Sequence, residues 1–379
     1  MNWPSVPGLR DKFRGHVTHS AWWDHNFDYC HKRIAVIGNG SSGIQIVPQM
    51  QKLPGTDVKN FIRGPAWVFY RAPPSKHLGR EDDKDVNPRY TDEERRRFRD
   101  PEQHLARRKG IISRSNKSFY VFVKGVNNRE GMRVAAAQMA EKLGHDSVLC
   151  EALIPKGELG CRLIIPGPGY LESFLQHNCH LSNSPITEVS ENAVHTADGQ
   201  CYECDVIVAA TGFDISHRPR YPIVGADTST DLATEWAEDP QSYMSMAVPN
   251  YPNYFTMMGP NCLGGHGSLV ESLNWTGDYF IKWIRKMATE DTAHVQPKRE
   301  VMEAFLRTGD EVHKTLVWTG ACSSWYKRGK KDGRVTALFG GSAHLFQRIL
   351  IDVCAEDFNI ACRMANPFRF MAMDSPSSR

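Results

Sequence analysis

Gly38, Gly40 and Gly43 give the spacing G-x-G-x-x-G within RIAVIGNGSSGIQIV. Each glycine meets a separate need of dinucleotide binding: the first permits a tight turn, the second lets a pyrophosphate approach the backbone, and the third packs a helix against a strand. Ser41 and Ser42 open the helix and Gln45 lies in its first turns, where unpaired N–H groups suit phosphate oxygens. The alternative is a glycine turn that holds no ligand. At the end of the second strand, where NAD enzymes place Asp or Glu on the ribose 2′-hydroxyl, this chain has Ile62, Arg63 and Gly64. A guanidinium suits a 2′-phosphate through bidentate, charge-assisted hydrogen bonds, so Arg63 favours NADP over NAD. A surface arginine that caps the strand is the competing reading.

Two other groupings carry less chemistry. His16, His19, His25 and His31 are near one another in sequence, but without an i, i+4 pair or a clear carboxylate partner they read as linker histidines rather than metal ligands. Cys201 and Cys204 form a single C-x-x-C; without a second pair it reads as a turn, and no metal site is expected.

The elements around the glycine turn follow from the same residues. The β-branched run from Arg33 reads as a buried strand, the serines as a helix start, and VKNFIRG at 58–64 as a second strand, which together make a βαβ unit. Pro48 is expected to end or kink the helix, because its ring removes an N–H and crowds the preceding turn. From Pro73 to about Lys109 the chain turns polar, and Thr91 with Glu94 has the form of a capping box. MRVAAAQMAEKLG at 132–144 predicts a helix. Short extended segments follow (HLSN, ITEVSE, AVHTADG), then a strong strand in DVIVAATGFD at 205–214 and a helix over ESLNWTGDYFIKWIRKM. The tail MDSPSSR reads as frayed.

The chain has 379 residues, which favours two domains or one with an insertion. Its composition, 41% hydrophobic and 23% charged, argues against a disordered or fibrous chain. A net charge of +3 gives no field that would draw nucleic acid or an anionic membrane. No apolar run approaches the roughly 18 residues of a membrane span and the first residues carry no signal-like segment, so the expected compartment is the cytoplasm. The 10 cysteines are scattered, which favours reduced thiols over a disulfide framework.

Just before the glycine turn, Phe13, Gly15, His19, Trp23 and Asp24 in FRGHVTHSAWWD fit F-x-G-x-x-x-H-x-x-x-W-D. This string resembles the fingerprint of Baeyer-Villiger monooxygenases, flavoenzymes of the flavin-containing monooxygenase group, and in that family too it precedes the NADP-binding turn. The resemblance continues through FIRGPAW, GCRLIIPGPGYLES, DVIVAATGFD, PNYFTMMGPN and CSSWY, and is strongest to fungal members that tailor polyketides and similar secondary metabolites. It implies FAD and NADPH as cofactors, a ketone and dioxygen as substrates, and oxygen insertion beside the carbonyl by a peroxyflavin. It also implies flavin-facing backbone at Thr211 and Gly212 and at Gly259, Pro260 and Asn261.

Three positions depart from the family pattern. The chain starts after the family's FAD-binding glycine loop, so taken alone it is expected to be a poor oxygenating enzyme. The family's arginine near the peroxyflavin falls on Leu163, with Arg162 one position early; Arg162 is the catalytic candidate only if the backbone is irregular there, since a one-residue slip turns a side chain to the other face. Gly64 replaces a hydroxyl residue beside Arg63.

The expected fold is therefore α/β: a linker at 1–30, a Rossmann-like NADP-binding domain from 31–72 and 150–204, a helical insertion at 73–149, and at 205–379 a partial second, FAD-type dinucleotide-binding domain with the C-terminal region. The strand at 205–214 is expected to need cover, from a partner chain or a second copy, or through rearrangement, unless the sequence is a shortened product of a longer gene. A flavin-dependent monooxygenase is the leading function. A non-redox relative that binds NADP or another ligand without oxygenase activity is the alternative.

Overall fold

The computed structural model describes residues 1–69, 80, 88–262 and 264–363. The first strand, β1, is His16–His19, part of the stretch expected to be a linker. Its sequence, HVTH, has no strand pattern of its own; it is extended because it pairs in parallel with a later strand, His16 lying opposite Val206. The β-branched run Arg33–Ile37 forms β2, followed by helix α1 at Ser41–Gln51 and strand β3 at Asp57–Phe61. α1 does not end at Pro48 but runs past it to Gln51. The lost backbone bond falls near the helix end, and the buried ring packs close to Gly169.

Helix α2, Asp92–Arg97, starts with the expected capping box: the Glu94 N–H donates to Thr91 Oγ1 (3.2 Å) and the Thr91 N–H to Glu94 Oε2 (2.8 Å). Helices α3 (Pro101–Lys117) and α4 (Val126–Lys142) follow, the latter beginning before Met132. Asp146 caps α5, Ser147–Leu153, by accepting the Leu149 N–H at 2.8 Å. The short α6, Tyr170–Ser173, leads into β4 (Cys179–Ser182), β5 (Ile186–Val189), β6 (Ala193–Thr196), β7 (Cys201–Glu203) and β8 (Val206–Ala209).

Five of these strands make a sheet in the order β1-β8-β2-β3-β4, and every pairing in it is parallel. The expectation that 205–214 would lack cover is corrected here. β8 lies between β1 and β2, and all four of its residues are buried. Its continuous apolar run is that of a central parallel strand covered on both faces. Strands β5, β6 and β7 form a separate antiparallel sheet, and Val189 and Val194 from it join Leu9, Ala35, Phe61 and Ile207 in one core.

Arg33 and Asp205 fasten the entry of β2 to that of β8. The Arg33 backbone N–H and Nη2 each reach the Asp205 carboxylate at 2.9 Å, and Arg33 Nη1 also pairs with Glu203. These bonds from Arg33 hold the Asp205 carboxyl below its ordinary range. A lowered carboxyl pKa contributes stability that is present above the unfolded value and is lost as pH falls through the folded one. Both side chains are more than a third exposed (42% and 37%), so the contribution is at most about 1 kcal/mol. Asp205→Asn is expected to flatten the loss of stability below the ordinary carboxylate range; equal acid slopes in urea titrations of variant and wild type would contradict this.

The chain divides into two compact units, Met1–Arg96 with Asn128–Asp214, and Arg97–Asn127 with Ile215–Arg379. These boundaries differ from those read at 30, 72, 149 and 204: β1 brings the fingerprint stretch, and β8 the 205–214 segment, into the first unit. In the second unit lie α7 (Leu232–Glu235), α8 (Leu269–Thr289), β9 (Thr292–Pro297), α9 (Arg299–Lys314), α10 (Ala343–Ile349) and β10 (Phe358–Cys362). β9 and β10 pair antiparallel. Tyr279, Trp283, Met302, Phe346 and Phe358 build the core of this unit. The start of the polar insertion, apart from Arg80, and the MDSPSSR tail lie outside the described residues. No described helix is long and apolar enough to cross a membrane.

Candidate functional site

The glycine turn sits at the end of β2, in the first unit. Gly38 has φ +111°, and its N–H donates across to the Phe61 carbonyl at 2.8 Å; a side chain here would meet the Ala210 carbonyl oxygen at 2.5 Å. Gly43 is needed for a second close approach, since a Cβ there would lie 2.1 Å from the Gly38 carbonyl oxygen. Gly40 differs, because nothing stands within 4 Å of the place its Cβ would occupy. Two of the glycines are thus demanded by packing and the middle one faces open space.

Gly40 is also the N-cap of α1; no side chain caps the helix and no acidic residue lies in its first turn. The N–H groups of that turn and the positive end of the helix dipole therefore meet an anion unopposed. Ser41 is exposed and Ser42 half-buried at this end. Gln45 turns back along the helix, its amide donating to the Ser41 carbonyl at 2.7 Å.

Arg63 follows β3 and is exposed. The loop between the glycines is tied to it through Asn39, whose buried amide donates to the Gly64 carbonyl at 2.8 Å. Arg162 comes to the same place. Residues 161–165 do not form a regular strand, and their one bridge is Val68 with Ile165. In this irregular backbone Arg162 turns inward, its guanidinium 3.5 Å from the Pro65 carbonyl oxygen, while Leu163 is 40% exposed. Burial and then the charge of Arg63 lower the Arg162 pKa from its ordinary value. Arg162, read as the catalytic candidate, thus reaches the carbonyl of Pro65, two positions after the nucleotide-side arginine.

Thr211 and Gly212 follow β8 in the same unit. Thr211 Oγ1 donates to the Asn2 carbonyl (2.5 Å) and the Asn2 N–H to the Gly212 carbonyl (2.9 Å), while the Cβ side of Gly212 is open, with φ +84°. Gly259, Pro260 and Asn261 belong to the second unit, where they are engaged with its own backbone. The Asn261 amide donates to the Val335 and Leu338 carbonyls (2.8 and 2.9 Å), Ser242 Oγ donates to the Pro260 carbonyl (3.1 Å), and a Cβ on Gly259 would fall 2.5 Å from the Ser245 carbonyl oxygen.

Sequence reasoning passed over Asn39, Asn60 and Tyr170, three buried polar residues around the turn. A signal for Asn60 was present, since an amide in the middle of a buried strand is costly unless its bonds are made. Cys201 and Cys204 are free thiols, and among the described residues no cluster of His, Cys, Asp or Glu is placed to hold a metal ion.

A parallel sheet with this turn and an uncapped helix start is the arrangement of a Rossmann-type fold. No family model matches the chain. Among curated proteins it is 34% identical over 378 residues to the FAD-binding monooxygenase moxY of Dothistroma septosporum, covering 98% of this chain and 58% of that protein. It is 30% identical over 350 residues to a Baeyer-Villiger monooxygenase of Streptomyces coelicolor, covering 91% of this chain and 64% of that one. In fold it matches cyclohexanone monooxygenase from Rhodococcus sp. Phi1, solved bound to NADP+, with a TM-score of 0.79 at 21% identity over 96% of this chain and 73% of that structure. Over nearly its whole length the chain is thus similar to FAD-binding monooxygenases of the Baeyer-Villiger type. It spans less than two thirds of the length of these curated relatives.

Proposed function

We propose that the chain acts in an FAD- and NADPH-dependent Baeyer-Villiger monooxygenase, inserting oxygen beside the carbonyl of a polyketide-like ketone in secondary-metabolite biosynthesis. The observation that carries the reading is the open glycine turn against an uncapped helix, with its loop tied to Gly64 beside Arg63 and with Arg162 at the Pro65 carbonyl. The fit to NADPH is good. Gly40 leaves room for a pyrophosphate, the first turn of α1 offers N–H donors, and the two guanidiniums suit the 2′-phosphate. We assign Arg162 to that phosphate rather than to the oxygen-transfer step.

The fit to FAD is uneven within this chain. Gly212 leaves open space for a planar ring, whereas Gly259 and Asn261 are accounted for by contacts inside the second unit. We therefore propose Thr211 and Gly212 as the flavin-facing backbone. When bound, NADPH supplies the hydride and FAD the oxygen chemistry; the residues described here bind and orient. A non-redox ligand-binding role is not favoured, because the relatives are monooxygenases.

The test is a titration of the chain with FAD, followed by NADPH-driven oxygen uptake with a panel of ketones. Flavin binding that Gly212→Val weakens at least tenfold is expected. Absence of flavin binding, or its indifference to Gly212→Val, would count against this placement.

A further inference from the structure

We propose that Asn60 and Tyr170 are positioning residues that hold the glycine turn in its nucleotide-accepting shape, an inference that rests on reading that turn as the NADPH site. Asn60 is fully buried in β3, paired with Val36 of β2 and flanked along the chain by Lys59 and Phe61. An amide in such a place is destabilising unless each of its polar groups finds a partner. Here each does. Asn60 Nδ2 donates to the Val36 carbonyl at 2.9 Å and to the Gly38 carbonyl at 3.1 Å, and Oδ1 accepts from the Tyr170 hydroxyl at 2.8 Å.

The Gly38 carbonyl is the atom on which the turn depends. A glycine at φ +111° has no side chain to fix its orientation, and its carbonyl shares a rigid peptide plane with the Asn39 N–H. Anchoring the carbonyl therefore fixes where the first N–H of the loop points. The bare Gly43 closes on the same oxygen from the helix side, so the carbonyl is held between Asn60 and α1. Tyr170, 1% exposed at the start of α6, decides which way the amide of Asn60 faces. With its hydroxyl donating to Oδ1, the NH2 group must face the two carbonyls. Burial pushes the hydroxyl pKa up, which keeps it a donor.

The couple acts on the pyrophosphate, which NADPH and NADH share, and not on the 2′-phosphate, so a positioning role differs from that of Arg63. Two measurements test it on the 379-residue chain: hydrogen–deuterium exchange of residues 36–43 without nucleotide, and titration with NADPH and with NADH. Tyr170→Phe is expected to raise exchange in that segment and to weaken both nucleotides by the same factor, about three- to tenfold, the worth of one neutral hydrogen bond. Asn60→Leu is expected to do so more strongly; if it does not fold, Tyr170→Phe decides. Wild-type exchange and wild-type affinities in Tyr170→Phe, with only a lower melting temperature, would overturn the proposal in favour of a plain packing role. If the wild type binds neither nucleotide, the NADPH reading falls, and the exchange measurement still decides whether the couple holds the turn.

Discussion

Gly43→Ala is expected to lower the melting temperature and abolish measurable nucleotide binding, whereas Gly40→Ala is expected to keep the fold and weaken the ligand alone. The two positions differ by what a methyl would meet. At Gly43 it would lie 2.1 Å from a backbone carbonyl oxygen, which cannot move without shifting the turn or α1; at Gly40 it meets nothing within 4 Å. Alanine inside a helix gains up to about 1 kcal/mol in propensity over glycine, but overpacking costs about 1 to 3 kcal/mol, and a clash with backbone belongs at the upper end. The net sign at Gly43 is destabilising, and the displaced turn no longer presents its N–H groups. Gly40→Ala loses at most about 1 kcal/mol as a poorer cap. Its methyl stands where a pyrophosphate would approach, so affinity is expected to fall roughly tenfold or more, about 1.4 kcal/mol. Thermal melts with NADPH titrations check both; a Gly43→Ala variant of wild-type stability would contradict the packing argument.

Arg63→Ala and Arg162→Ala should each weaken NADPH while leaving NADH nearly unchanged. A hydrogen bond to a charged group is worth about 1.5 to 3 kcal/mol, hence roughly ten- to a hundredfold in affinity. The two guanidiniums repel each other when no anion lies between them; after burial, the charge of Arg63 is the second cause that lowers the Arg162 pKa. Removing one relieves that repulsion, so the double variant is expected to lose less than the sum of the two. The sequence-based role for Arg162, on the oxygen-transfer side, makes the opposite prediction: NADPH affinity kept and turnover lost. Isothermal titration of Arg162→Ala with both nucleotides separates the two roles.

The part of the site that was legible in sequence is the part built from local residues. A β-branched run, three spaced glycines and two serines specify strand, turn and helix within a few residues of one another, and Arg63 is placed by the end of the next strand. The capping box of Thr91 and Glu94 was legible for the same reason. What was not legible depends on partners distant in the chain. His16–His19 is a strand only because Val206–Ala209 lies beside it, and Val206–Ala209 is covered only because β1 and β2 flank it. Arg162 could not be placed by counting along an extended chain, because residues 161–165 are irregular and alternation does not apply. Asn60 stood out as an amide inside a buried strand, but its partner Tyr170 lies far along the chain.

The central claim, that the glycine turn with Arg63 and Arg162 is an NADPH site, is tested most directly by calorimetric titration of the wild-type chain with NADP+ and with NAD+ under identical salt. One site is expected, which binds NADP+ at least tenfold more tightly than NAD+, with the difference shrinking as ionic strength rises. Equal affinities, or binding of neither nucleotide, would contradict it.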